Sequence, residues 1–402
     1  MCLLSIVFRR TYICFLCYNF FFSHSHLSHL FSKTMTDTEP EIVNGLNRKA
    51  ILAVKEKMRA ELTFGAKSDI KISAVWKNGV VYHTDSDMVS HPPPEIARVV
   101  GHPSMNSYCP LVAAGCFSLI YMLEATERGA QIECFKTVQQ HDADFSCFYK
   151  TKAAGVNPWK DGATLDIQIK GPYSLDVLKT IERFADAHCP SIEIMRREFP
   201  VEVTKVIGKH VDVDEKTIHY DMDKYEALSK RSEPIIVKQL AKGRWFCHNE
   251  CKKYPDALMT FDFRNDGNSI LALSHDKPIA SGKYANPVQA CFFGGLSTYI
   301  HTFAVRLYTR GYIIKGIEGT LRTVVNKRMV MGVEDDKYLF PGGAFIELEV
   351  ESNAPGEVLD EVRHEADEMS PAFMNWRNSI PLKLNVRKVS GICDSISGCF
   401  KG

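Results

Sequence analysis

The chain has 402 residues, 45% hydrophobic and 24% charged, long enough for two or three domains with proper cores. Its 49 basic and 48 acidic residues leave a formal charge of +1, which gives no electrostatic case for nucleic acid, and no basic stripe stands out. Thirteen cysteines, an odd number unevenly spread, exclude the regular disulfide framework of a small secreted domain and favour a reducing compartment.

Residues 1–34 differ from the rest. No acidic residue precedes Asp37, and Thr11 to Ser32 carries no Lys, Arg, Asp or Glu. The apolar part is too short for a spanning helix. The expectation is a gene-model extension before a start at Met35, or a mitochondrial leader. Cys14 and Cys17 have redox or zinc spacing, but no second pair follows at ribbon spacing.

Asn47 to Leu62 reads as a charged helix. Asp69 to His83 reads as a hairpin turning at Asn78-Gly79. Pro92-Pro93-Pro94 marks an irregular connection. Pro110 to Arg128 is helical, apolar nearly all round and therefore buried, and Gly129 ends it. Strands follow at Gln131–Gln139 and Thr164–Lys170. Leu175 to His188 is an amphipathic helix, with Leu175, Leu178, Ile181 and Phe184 on one face. Cys189-Pro190 interrupts it, because a helix ends before the residue preceding proline and proline suits the first position of another. Pro200 to Val206 closes this half as a strand. A charged bridge, 207–235, comes next. Then come a hairpin around Asn265-Asp266-Gly267, a helix from Pro287 to Arg310, and strands Gly316–Val325 and Ala344–Val350. Helix Gly356–Glu368, Ser370-Pro371 and strand Ile380–Val386 complete the second half.

The chain therefore repeats itself. Cys116 to Arg128-Gly129 reappears as Thr298 to Arg310-Gly311, at an offset of 298 − 116 = 182. Ala185-Asp186 to Cys189-Pro190 reappears as Ala366-Asp367 to Ser370-Pro371, at 370 − 189 = 181. Each half reads as α+β with antiparallel strands and a buried helix that needs a partner, and the sister half is the natural one. The expected division is a leader at 1–40, domain 1 at 41–206, a linker at 207–235, domain 2 at 236–389 and a tail at 390–402.

Only the first half keeps both cysteines. A cysteine in a buried helix often just fills space. Cys189, at a helix start, stands where the dipole favours thiolate. As a pair they have a chemical use. A peroxide-reducing thiol needs a thiolate to attack the O–O bond and a second thiol within disulfide reach. Packing alone does not readily explain losing both together in the second half.

This combination, a cysteine in a buried helix ending in Arg-Gly and a Cys-Pro about 70 residues later, resembles the OsmC/Ohr family. The likeness covers roughly 69–206 and 240–388. It implies two OsmC-like domains forming an intramolecular pseudo-dimer. It also implies a thiol peroxidase acting on organic hydroperoxides in oxidative-stress defence. By the resemblance Cys116 is the peroxidatic and Cys189 the resolving cysteine. Asn286-Pro287 matches the family's helix start. The family's Glu is missing, with Asn106 and Val288 in its place. The first hairpin carries Lys77 rather than the family's Arg, so Gly243-Arg244 is the candidate activating arginine, supplied by the second half.

The reading is thus a cysteine-based hydroperoxide reductase with Cys116, Cys189 and Arg244 as catalytic residues. Phe117, Leu119 and Ile120 would form an apolar wall. The partners are an organic hydroperoxide and a dithiol or thioredoxin-like reductant. No cofactor, metal, nucleic acid or membrane span is called for. A cytoplasmic monomer, or a higher homo-oligomer, is expected. The alternative is a non-catalytic tandem binding or structural module with relic cysteines. Cys109 is a substitute resolving thiol, Cys247-His248 with Cys251 a weak metal set, and His141-Asp142 a polar loop.

Overall fold

The computed structural model describes residues 41–99, 102–149, 157–159, 161–212, 218–246, 256–262, 270–335 and 338–390. The leader, Cys14 and Cys17, the 265–267 turn, the Cys247–Cys251 set and nearly all the tail lie outside them, as do the side chains of Asn106 and Cys109. Residues after Glu39 group into one compact unit.

Two short strands, β1 (Ile42–Val43) and β2 (Leu46–Asn47), lead into α1 (Arg48–Ala60), where the Asn47 side chain accepts from Ala50 N–H at 3.1 Å. The hairpin of β3 (Ser68–Lys77) and β4 (Val80–His83) forms as expected, and β5 (Val89–Ser90) adds to it. Asn78 and Gly79 both have positive φ, as this tight turn requires. The buried helix α2 runs Met105–Glu127. It begins more than a turn before Pro110, with Ser104 as its cap, and Met105 stands where the repeat places Pro287. Strands β6 (Cys134–Asp144) and β7 (Ala163–Lys170) follow, then α3 (Leu175–His188), α4 (Pro190–Arg196) and β8 (Val201–His210).

The bridge holds a short helix, α5 (Met222–Ser229). The second half then repeats the order: β9 (Ile236–Trp245), β10 (Met259–Asp262), β11 (Ile270–Leu273), α6 (Pro287–Thr309), β12 (Ile314–Val325), a turn of helix α7 (Lys327–Val330), β13 (Ala344–Ser352), α8 (Gly356–Met369), α9 (Pro371–Arg377) and β14 (Leu382–Lys388). Strand β9 escapes the sequence reading, because Gly243 and three lysine or arginine side chains dilute its alternation.

The two sheets exchange strands. One has the order β11-β10-β9-β6-β7-β14 and the other β5-β4-β3-β12-β13-β8. Each takes its first three strands and its last from one half and its middle pair from the other. Neighbours are antiparallel except β8–β13 and β7–β14. Backbone bonding between halves comes from four pairings, β3 against β12, β6 against β9, β13 against β8 and β14 against β7. The architecture is mixed α+β with largely antiparallel sheets, as expected.

The long helices end identically. Gly129 and Gly311 adopt positive φ, their N–H groups bond Thr126 and Tyr308, and the following N–H groups of Ala130 and Tyr312 reach back to Ala125 and Leu307. These are paired Schellman caps, which is the physical content of the repeated Arg-Gly. The helices also meet closely: a Cβ on Gly294 would lie 2.5 Å from Tyr108 Cβ. Repeat-related charges are each resolved differently. Buried Glu124 pairs with Arg128 Nε at 2.6 Å and faces Lys55 at 4.0 Å. Arg306, in the corresponding place on α6, donates instead to Phe148 O and Tyr225 Oη.

A buried chain of hydrogen bonds ties the bridge to both halves. Trp76 Nε1 donates to Tyr220 Oη at 2.7 Å, Tyr220 Oη meets His301 Nδ1 at 2.9 Å, and His301 Nε2 meets Ser90 O at 3.2 Å. The chain fits a neutral imidazole with its proton on Nε2.

Two outcomes are expected. A fragment ending before the bridge leaves the β6 edge without β9 and the first hairpin without β12, so size-exclusion chromatography should find no folded monomer; a stable monomeric fragment would contradict the exchange. Burial lowers His301 to about 3 and His141 to about 4. The unfolded chain therefore binds protons first, and stability falls as pH drops below about 6.5, down to about 3. At about 1.4 kcal/mol per pH unit the two cost several kcal/mol, which denaturant titration across that range would register.

Candidate functional site

Helix α3 is amphipathic: Leu178, Ile181 and Ala185 are buried while its outer face is charged. Pro190 cannot continue it, so Cys189 takes an extended conformation, φ −83° and ψ 116°, as the last cap of α3 and the first of α4. Its carbonyl accepts from Glu193 N–H at 3.1 Å. With no loop between the helices, the bend buries Cys189 completely. Across from it, α2 presents Cys116, also fully buried. Gln139 of β6 anchors the helix just before Cys116, its Oε1 accepting from Ala114 N–H at 3.0 Å.

Helices α2 and α4 pack together and bring the two thiols near enough for each to shift the other. Burial pushes the Cys116 thiol up, but the polar groups near it, Cys189 first and then Ser191, outweigh burial and lower it from the ordinary thiol value. Cys189 goes the other way, well above that range, through burial and then through its neighbour Cys116. Cys116 is thus the easier of the two sulfurs to ionise. No charged side chain is among the groups that lower Cys116. Ser191 was not singled out from the sequence. The available signal was its partner in the repeat, 191 + 181 = 372, which is alanine.

Other free cysteines contrast with the pair. Cys147 is raised to about 12, chiefly by burial. Cys291 lies buried on α6, at the position the repeat aligns with Cys109. Cys134 is disulfide-bonded, a bond that the expected reducing compartment does not favour.

The second half reproduces the scaffold without the chemistry. Ser370 takes φ −69° and ψ 117° before Pro371. Thr298 turns its hydroxyl back to Gly294 O at 2.8 Å. A small cleft, partly open to solvent, lies on this side. Met105, Tyr108, Thr298, Pro371 and Trp376 are among its walls, and Ser191 belongs to them too. Trp376 packs flat over bare Gly295, where a Cβ would come within 2.0 Å of the ring.

Two expectations are corrected by position. Phe117, Leu119 and Ile120 are core residues, not cleft walls. His141 stands in strand β6, buried between Gln239 and Trp159, rather than in a polar loop. Arg244 is not brought to the cysteines. Strand alternation sends Gly243 to the packed face, against Phe261 and Met259, and Arg244 to the other. Its guanidinium lies 5.3 Å from the Phe246 ring centre.

Among the described residues no group of three or more His, Cys, Asp or Glu could hold a metal ion, and no helix is long and apolar enough to cross a membrane. The chain matches no known protein-family model and no curated protein at a significant level.

Limited alkylation of the reduced protein should label Cys116 ahead of Cys147 and Cys189, and the Cys116 rate should fall as pH drops and its sulfur takes up a proton. Peptide mapping that found Cys147 or Cys189 labelled first would contradict the assignment.

Proposed function

We propose that the chain is a cysteine-based hydroperoxide reductase of the OsmC/Ohr kind, two such domains intertwined as an intramolecular pseudo-dimer. One observation carries the reading: two fully buried cysteines on packed helices, the first eased toward ionisation and the second pushed away from it. The exchanged strands support the pseudo-dimer, because they match what an intertwined pair of repeats within one chain requires.

Chemistry follows from that asymmetry. Cys116 thiolate attacks the terminal oxygen of a hydroperoxide. The S–O bond forms as the O–O bond breaks, sulfur is oxidised by two electrons, and the departing alkoxide takes a proton and leaves as alcohol. Cys189 then attacks the sulfenic sulfur, its proton leaving with the hydroxyl as water, and a disulfide joins the two. An external dithiol or thioredoxin-like protein returns two electrons and two protons by exchange. The Cys189 thiol is held neutral until the sulfenic acid exists, so it does not compete for peroxide. No resident metal or organic cofactor enters these steps.

The reading predicts a separable first step. Cys189→Ser treated with cumene hydroperoxide should consume one equivalent and accumulate a dimedone-reactive sulfenic acid on Cys116. Wild type should turn over with dithiothreitol, and Cys116→Ser should not. If Cys116→Ser keeps the wild-type rate, the assignment is wrong.

A further inference from the structure

We infer that the cleft beside Thr298 is a binding site for a small uncharged molecule, an aromatic ring bearing one hydroxyl or carbonyl oxygen, and that Ser191 recognises the oxygen. The inference goes beyond the reductase reading, because neither Cys116 nor Cys189 is among the residues that line this cleft.

The walls select against charge. Among the described residues, no acidic, basic or histidine side chain lines the cleft. A charged group entering it would lose water and meet no counter-ion, a larger cost than burial of a ring offsets. The walls are rings and thioethers instead: Tyr108, Trp159 and Trp376, with Met105 and Met195. Aromatic faces and polarisable sulfur suit a flat ring. An apolar lining with few polar groups is the ordinary character of a small-molecule site.

These walls are fixed in place. Trp159 is tied by its Nε1 to Gln239 Oε1 at 3.3 Å. Tyr108 and Trp376 close on Gly294 and Gly295 of α6, too tightly for a Cβ at either position. The repeat places Val112 and Ala113 there, at 294 − 182 = 112 and 295 − 182 = 113. Two adjacent glycines inside a helix destabilise it relative to alanine, yet α6 carries them where the two rings are seated.

Ser191 supplies the polar contact. Other donors on the walls are engaged: Tyr108 Oη donates to Val89 O at 2.9 Å, and Thr298 Oγ1 to Gly294 O at 2.8 Å. The Ser191 hydroxyl, on the same wall and 1% exposed, has no hydrogen-bond partner in the protein. A buried hydroxyl without a partner is unfavourable, and alanine would fill the same place without it. The second half has that alanine, Ala372. A ligand oxygen at Ser191 Oγ satisfies the hydroxyl and orients the ring.

The test is calorimetry of the full chain with benzyl alcohol, toluene and benzoate. Tryptophan emission is followed alongside, since two of the four tryptophans, Trp159 and Trp376, line the cleft. Benzyl alcohol should bind saturably and change the emission, and benzoate should not bind. Ser191→Ala should weaken benzyl alcohol about fivefold, the loss of one neutral hydrogen bond, and leave toluene unchanged. If Ser191→Ala does not fold, a crystal structure of the wild-type complex decides, with the alcohol oxygen expected within hydrogen-bonding distance of Ser191 Oγ. Absence of saturable binding, benzoate binding as tightly as benzyl alcohol, or equal weakening of toluene and benzyl alcohol would overturn the inference. Cys116→Ser should bind benzyl alcohol as wild type does, so loss of peroxide reduction and loss of this site are separate outcomes.

Discussion

Backbone hydrogen bonds between β3 and β12, and between β6 and β9, are the constraint on which the rest depends. Each middle pair of strands needs a neighbour that its own half does not supply. Once the halves pair this way, α2 and α6 must cross, and Gly294 is small where Tyr108 arrives. The crossing then fixes how deep Cys116 sits and how near α4 comes to it. Local sequence shapes each helix; the exchange decides what each helix faces.

Burial of the thiol pair would ordinarily silence both sulfurs, as it silences Cys147. The difference lies in donors rather than in charge. Cys116 is shifted by the polar groups of Cys189 and Ser191, which the bend that Pro190 imposes after α3 brings to its side. Cys189 is met by Cys116 itself. Opposite directions for two neighbouring sulfurs follow from which of them stands before the open first turn of α4 and which begins it. The second half keeps the bend at Ser370-Pro371 and lacks the sulfurs.

Much of this was legible in the chain. The offsets of 182 and 181 exposed the duplication, and Arg-Gly and Cys-Pro fixed where helices end because capping and proline sterics are local. Strand β9 was not legible, since lysines, arginine and Gly243 break its pattern and its partner lies in the other half. The exchange itself leaves no local trace. Alternation from Gly243 puts Arg244 on the opposite face of β9, which the Gly-Arg dipeptide alone does not say. Ser191 escaped because serine after proline reads as an ordinary helix start, and only its alignment with Ala372 marks it.

Peptide mapping under non-reducing conditions after one equivalent of cumene hydroperoxide tests the central claim most directly. The account predicts one new cross-link, Cys116 to Cys189, forming before any other cysteine changes and absent in Cys116→Ser. Both residues remaining free for alkylation, while peroxide is untouched or consumed at other thiols, would contradict it.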